Sequence, residues 1–410
     1  SKSFEELVQP ALTYAEHGHP LASTVVAHLV PNVDLLSKYP PSKAVFLPGG
    51  KAPGTGQVLV QADLARTFRR LISAGLDDFY EGELAQRIAA GIQEQGGVLS
   101  AEDLAGHETL ITAPISVEYR GYRINQTALP SQGMIHLEAH RIVDQLLTAD
   151  EFWSDRWIHT QVEAVKLAFA DRLGYAQDPA TGETPLDDLL SDGWASVRAR
   201  EIGEQASTKV AAGQFAYGDT TYLCAVDASG MMVSLIQSVS HAFGSGVIAG
   251  DTGVEMNNRV GRGFTLDSNH PNVYAPGKRT MHTLNCFSIQ RGDGTPVMVG
   301  GTPGGDGQPQ WNLAMITAMI DGGLDVQQTV EMPRWTVWPG TDPVSVSKPF
   351  ELRLEADFGP ELHQRLAERG HAIKPVNGWH GAAQIIARDP ETGVLMGGSD
   401  PRVEGQAIGL

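Results

Sequence analysis

Only two cysteines occur in 410 residues, Cys224 and Cys286. Two thiols cannot build a disulfide framework or a cysteine metal site, although they could form one bridge, so the redox compartment stays open. No window of eighteen uninterrupted apolar residues occurs, so nothing in the sequence reads as a membrane span. Basic residues are scarce: 30 Lys and Arg stand against 48 Asp and Glu, a formal charge of −18. That sign repels nucleic acid and anionic membrane, which excludes a phosphate backbone as partner. His17, His19 and His159 have no carboxylate or histidine at a metal-ligand spacing, so neither a metal site nor a cofactor is expected. The chain opens at Ser1 with no Met and no charged-then-apolar leader pattern, which leaves open a start that was processed away or a leader not included.

What is present reads as a soluble globular chain, 41% hydrophobic and 19% charged, long enough for one large domain or two intimate ones. The first half has helical periodicity. Ser3 and Glu6 form a capping box before apolar residues spaced from Leu7 to Ala15. Gln61–Ala74 and Gly82–Gln95 repeat the pattern, the second closed by Gly96-Gly97. Ser100 and Asp103 start a short helix, Ile115–Ile124 alternates as one strand with Gly121 as its irregularity, and Trp157–Leu173 is a long helix. From Gly218 the texture turns to β. Thr221–Val226 and Met231–Ser238 flank a hairpin turn, and so do Thr283–Gln290 and Pro296–Gly300. A helix over Pro309–Ile320 and a last strand pair, Ala383–Arg388 with Gly393–Gly397, complete an α+β pattern of layers.

Gly218-Asp219-Thr220-Thr221-Tyr222 sits where the helical half meets the β half. A threonine hydroxyl needs an adjoining base, and a Thr at the start of a chain has one in its own α-amine. That amine titrates near about 7.7–8.0 and is substantially neutral at working pH. Self-cleavage before Thr220 would create it; the bland alternative is that Thr220-Thr221 merely begins a strand. Gly300-Gly301-Thr302-Pro303-Gly304-Gly305-Asp306-Gly307 lies between a strand and a helix, where backbone N–H groups can converge on an oxyanion. It matches no nucleotide-binding glycine motif. Asn257-Asn258-Arg259-Val260-Gly261-Arg262-Gly263 places two arginines three apart, a fork for a carboxylate or else two solvated charges. His241 and His282 lie near these segments in sequence, and a packed or hydrogen-bonding role is their commoner fate.

These segments, taken in order, resemble the γ-glutamyltransferase family. The start of its small subunit is similar to Thr220-Thr221-Tyr222, Val226-Asp227, Gly230 and Val233-Ser234. Phe243-Gly244-Ser245-Gly246, Gly253 to Asn258, Pro276-Gly277-Lys278-Arg279, Pro303-Gly304-Gly305, Pro333-Arg334 and Asp400-Pro401-Arg402 continue the match. Pro10-Ala11, Leu64-Ala65, Phe79-Tyr80-x-Gly82, Asp103-Leu104, Tyr119 to Tyr122 and His159 to Arg172 fit its large subunit. The resemblance implies a four-layer αββα sandwich of the N-terminal-nucleophile hydrolases. It implies cleavage between Asp219 and Thr220, giving a large-subunit portion over 1–219 and a small subunit over 220–410 that intertwine as one domain. The resulting heterodimer is expected to dimerise further.

The resemblance also implies roles. Thr220 is the nucleophile, Ser238 supports it, Gly304 and Gly305 supply the oxyanion N–H groups, and Tyr274 closes over the site. Departures from the pattern bear on the substrate. Arg262 stands where γ-glutamyl enzymes carry an acid for the α-amine, and Arg259 where they carry Gln or Glu. His282-Thr283 replaces a Ser-Ser pair, and Ser240 an asparagine. Such a set resembles the divergent branch that includes oxamate amidohydrolase and cephalosporin acylases. The expected substrate is a small-molecule amide whose acyl half carries a carboxylate without an α-amine. The alternatives are a γ-glutamyl hydrolase or transferase and a catalytically idle binding scaffold.

Overall fold

The computed structural model describes residues 2–208, 220–341, 348–377 and 381–410. Asp219 and Gly218 lie outside the described residues. The chain divides into two units, one of residues 1–111 and 239–258, the other of 112–238 and 259–410.

The first unit is helical. Helix α1 (Phe4–His17) is started by the expected capping box of Ser3 and Glu6. Helices α2 (Ala62–Ala74), α3 (Glu83–Gln93) and α4 (Ala101–Ala105) follow, the last capped reciprocally by Ser100 and Asp103. The returning segment 239–258 is threaded among them. Phe243 meets Phe46 edge-on at 5.0 Å, and Ala249 joins Leu84 and Ile88 in a core. A Cβ on Gly91 of α3 would lie 2.4 Å from Gly250 N, so the two backbones approach as closely as they do only because Gly91 has no side chain.

The second unit is built on a six-stranded antiparallel sheet. Its strands are β1 (Ile115–Tyr119), β2 (Tyr122–Gln126), β5 (Cys286–Arg291), β6 (Pro296–Gly301), β10 (Gln384–Arg388) and β11 (Leu395–Ser399). Their spatial order is β11-β10-β6-β5-β2-β1. Between β2 and β5 in the chain comes a separate two-stranded sheet, β3 (Thr220–Val226) with β4 (Met232–Ser238). A three-stranded sheet is formed by β7 (Trp335–Trp338), β8 (Glu351–Glu355) and β9 (Ile373–Val376). Helices α5 (Met134–Leu146), α6 (Asp155–Tyr175) and α7 (Gly307–Ile320) share one core with Ile124, Phe287 and Ile289 of the large sheet. The β3–β4 hairpin covers the other face. Two adjacent glycines of β6 mark the two sides: a Cβ on Gly300 would strike Phe287, and one on Gly301 would strike Tyr222 of the hairpin.

Two expectations are corrected, and one helix was not foreseen. Ile115–Ile124 is not one strand but the hairpin β1–β2. Arg120 and Gly121 turn it with φ of +50° and +79°, the left-handed pair that a two-residue turn between twisted strands requires. Arg120 is held there by Asp144 at 2.8 Å and Asp321 at 3.3 Å. The strand expected from Thr283 joins the ladder only at Cys286, because Asn285 turns its side chain back to the Thr283 carbonyl at 3.1 Å. Helix α5 was not expected. It is buried almost all round from Met134 to Val143, so that His136, Glu138 and His140 of its polar face lie inside as well.

Two motifs that seemed to be mere family markers are one ion-pair network. The fully buried Arg334 donates to Asp400 at 2.5 Å, while Arg402 bridges Asp400 at 3.1 Å and Glu355 at 2.5 Å. Asp400 also accepts the Ala383 N–H at 3.0 Å. Asp400→Ala leaves the Arg334 guanidinium facing a lost carboxylate in a dry interior. It is expected to cost about 3–5 kcal/mol of unfolding free energy, measured by chemical denaturation, the usual penalty for breaking a buried pair from one side.

Among the described residues no helix is long and apolar enough to cross a membrane.

Candidate active site

Thr220 opens β3 directly opposite Ser238, the last residue of β4. Strand alternation turns Thr220 and Tyr222 inward and Thr221 and Leu223 outward. The Thr220 hydroxyl donates to Ser238 Oγ at 3.0 Å and is buried. Ser238 therefore touches the hydroxyl that the sequence singles out, and register alone brings the pair together. Tyr222 fixes the strand from below: its hydroxyl pairs with Ser234 Oγ at 2.7 Å, and its ring fills the space over Gly301.

The loop after β6 turns on two left-handed glycines, Gly304 at φ +138° and Gly305 at φ +56°. The Gly304 carbonyl accepts the Gly307 N–H at 2.9 Å, and the Gly305 carbonyl accepts the Gln308 N–H at 3.2 Å. Both carbonyls thus point back toward the start of α7. Among the described residues the N–H groups of Gly304 and Gly305 donate to no protein acceptor. Asp306 pins the far side of the loop by accepting the Thr341 N–H at 2.7 Å and its hydroxyl at 3.0 Å. Trp311 supports it from α7, its indole N–H donating to the Trp335 carbonyl at 3.1 Å. Such a loop at a helix start presents donors without a carbonyl in the way.

Arg259 and Arg262 are 9% and 8% exposed, which removes the reading of two solvated charges. Arg259 donates to Thr283 Oγ1 at 3.0 Å. Burial, and then Arg262 beside it, pull the Arg259 guanidinium down to about 10. His282 is pushed down to about 4 by burial and by the charges of Arg259 and Arg172, so it is neutral at working pH. Arg172, near the end of α6, thus adds its charge to that of Arg259 in depressing His282. The sequence marked it only as part of a family motif.

Tyr274 stands 53% exposed with its ring edge-on to Phe264 at 5.5 Å, just past the arginine helix Val260–Gly263. Ser240 falls in the first unit, buried, at φ +86°. In the same unit His241 pairs with the Asn258 side chain at 2.7 Å, a hydrogen-bonding role.

The expectation that His159 lacks a carboxylate or histidine neighbour is wrong. One helical turn along α6 brings Glu163 beside it, and chain reversal brings His371, whose Nε2 lies 2.9 Å from His159 Nδ1. The spacing i, i+4 was readable, but the third member, 212 residues away, was not. The carboxylate of this trio already holds a cation, since Lys166 Nζ is 2.7 Å from Glu163.

A family model described as gamma-glutamyltranspeptidase matches residues 1–410. The chain is 39% identical over 413 residues to the glutathione hydrolase-like YwrD proenzyme of Bacillus subtilis, covering 100% of this chain and 77% of that one. It is 36% identical over 406 residues to the oxamate amidohydrolase proenzyme of Klebsiella pneumoniae, covering 98% and 75%. The solved structure of a cephalosporin acylase from Bacillus halodurans superposes with a TM-score of 0.90 at 36% identity, covering 99% of this chain and 74% of that one.

Proposed function

The chain belongs to the gamma-glutamyltranspeptidase family of autoprocessed hydrolases and has its α+β N-terminal-nucleophile hydrolase fold, and from that premise we propose that it cleaves a carboxylate-bearing amide through an ester on Thr220. In the α, β, β, α layering of that fold, the described residues of the second unit supply the helices α5–α7, the six-stranded sheet and the β3–β4 hairpin of the second sheet.

The chemistry runs in two stages. In the precursor, Thr220 Oγ attacks the carbonyl carbon of Asp219, the peptide C–N bond breaks, and water hydrolyses the resulting ester. This divides the chain into 1–219 and 220–410 and frees the Thr220 α-amine. In turnover, Thr220 Oγ attacks the substrate carbonyl carbon while its proton passes to that amine. The oxygen becomes an oxyanion held by the Gly304 and Gly305 N–H groups. The C–N bond breaks as the leaving nitrogen takes the proton, and water activated by the amine releases the acid. Ser238, within hydrogen-bond distance of Oγ, orients the hydroxyl.

The observation that carries the substrate reading is the burial of Arg259 and Arg262 beside Thr283 and neutral His282. An α-ammonium would be repelled there, whereas a carboxylate gains charge-assisted hydrogen bonds. The relative named for oxamate fits an acyl group without an α-amine, while the glutathione hydrolase-like relative keeps the γ-glutamyl alternative in the test. Comparison of kcat/KM for oxamate-type, glutaryl and γ-glutamyl amides decides between them. Arg262→Asp is expected to lower kcat/KM for the oxamate-type amide about tenfold or more and to raise it for the γ-glutamyl one. An unchanged preference would show that these arginines do not read the substrate.

A further inference from the structure

Tyr222 joins the strand that bears Thr220 to the strand that leads into the glycine loop. It stands two places after Thr220, so strand alternation sends both side chains inward from β3. Its ring lies on Gly301, the last residue of β6, where a Cβ would come 2.6 Å from Tyr222 Cε2. Its hydroxyl is 2.7 Å from Ser234 Oγ on β4, and Ser234 Oγ is 3.3 Å from the Gly300 carbonyl. A carbonyl only accepts, and a serine hydroxyl has one hydrogen to give. Ser234 therefore donates to Gly300 and receives the hydrogen of Tyr222. Burial raises this phenol well above its ordinary range, so it keeps that hydrogen at working pH.

Only Thr302 and Pro303 separate Gly301 from Gly304, and they have little freedom. Thr302 is fully buried; its Oγ1 accepts the Ala382 N–H at 3.0 Å and donates to the Pro303 carbonyl at 2.9 Å. Trp311 bars the loop beyond, standing where a side chain on Gly304 would go. A displacement at Gly301 is thus passed on to Gly304 and Gly305. A displacement at Tyr222 is likewise passed along β3 to Thr220, two residues away.

We propose that Tyr222 is the spacer that sets how far the Thr220 hydroxyl stands from the oxyanion donors, with the bare Cα of Gly301 as its seat. It is a positioning residue, acting through Thr220 on one side and Gly304 on the other. This role rests on the reading that Thr220 attacks and that Gly304 and Gly305 receive the oxyanion. Carbon atoms in contact stand about 3.5–4.0 Å apart, so a methyl group on residue 301 presses ring and strand apart by about 1 Å. Misplacing reacting groups by that much costs up to about 10²-fold, and tilting of the ring absorbs part of it.

Single-turnover measurement on the split protein separates substrate affinity from the acylation rate. Gly301→Ala is expected to lower acylation about tenfold or more and to change affinity by less than about twofold. Tyr222→Leu is expected to lower acylation as well, by leaving the gap unfilled. The double variant Gly301→Ala/Tyr222→Leu should acylate faster than Gly301→Ala alone, because the smaller side chain leaves room for the added methyl. Tyr222→Phe keeps the ring and should fall between wild type and Tyr222→Leu. Wild-type acylation in folded Gly301→Ala would overturn the proposal. So would single-variant losses that simply multiply in the double variant, or losses confined to affinity or to unfolding free energy. Should Gly301→Ala not accumulate as folded protein, the tyrosine variants decide, and equal acylation by Tyr222→Phe and Tyr222→Leu overturns the spacer. Wild-type protein that splits at Thr220 and hydrolyses amides, with variants that match it, counts against Tyr222 alone. Wild-type protein that does neither overturns the catalytic reading and the spacer with it.

Discussion

Thr220→Ala is expected to leave a single uncleaved chain with amidase activity lowered by about 10⁴-fold or more, the scale seen when a nucleophile is removed. The loss is twofold in origin. Without Oγ the Asp219–Thr220 bond is not attacked, so residue 220 keeps its nitrogen in a peptide bond and no α-amine is released to act as base. Without Oγ there is also nothing to carry the acyl group. Thr220→Ser keeps a hydroxyl opposite Ser238 and is expected to split and to turn over, which separates loss of chemistry from loss of fold. Gel mobility distinguishes one chain from two, and N-terminal sequencing of the smaller fragment identifies the bond. A fragment beginning anywhere but Thr220 would overturn the nucleophile assignment.

Gly304→Ala should cut turnover by roughly 10²-fold or more, equivalent to about 2.7 kcal/mol of lost transition-state stabilisation. Two physical causes act together. At φ +138° an alanine is in a region that only glycine occupies freely, and its Cβ would stand 2.1 Å from Trp311 Cζ3. Trp311 is itself fixed by its indole hydrogen bonds to Trp335 and Thr336, so the loop must move instead. Any such movement re-aims the Gly304 and Gly305 N–H groups. Gly305→Ala, at φ +56°, asks for a conformation that side chains do tolerate in moderation, and is expected to be milder. Single-turnover measurement of acylation is the direct check. Wild-type acylation in a folded Gly304→Ala protein would make this loop a connector.

Local chemistry was legible wherever a short stretch of chain determines its own conformation. The capping boxes at Ser3 and Ser100 formed as read, because a side chain three residues away satisfies the first free N–H groups. The β3–β4 hairpin formed around Asp227 to Gly230, with the Asp227 carboxylate accepting the Ser229 and Met231 N–H groups at 2.8 and 3.0 Å. Hairpin β1–β2 was misread because its two-residue turn shifts the inward phase by one position, from Val117 and Tyr119 in β1 to Ile124 and Gln126 in β2, and a single glycine at 121 was read as an irregularity and not as the turn. Helix α5 escaped although its apolar residues are spaced on one face, because its other face carries His136, Glu138 and His140, which read as solvent-facing until tertiary packing buries them.

The sequence by itself determined the family, the hydroxyl at Thr220, the glycines at 304 and 305 and the arginines at 259 and 262. Each belongs to a motif of consecutive residues whose chemistry can be named in one dimension. Tertiary structure decided what those groups face. It placed Ser238 against Thr220 through strand register and buried the two arginines beside Thr283. It also gathered Arg172 and His282 from distant elements and seated Tyr222 on Gly301. Burial and register depend on which segments meet after the chain reverses, and contacts over a hundred residues apart leave no mark in the spacing of neighbours.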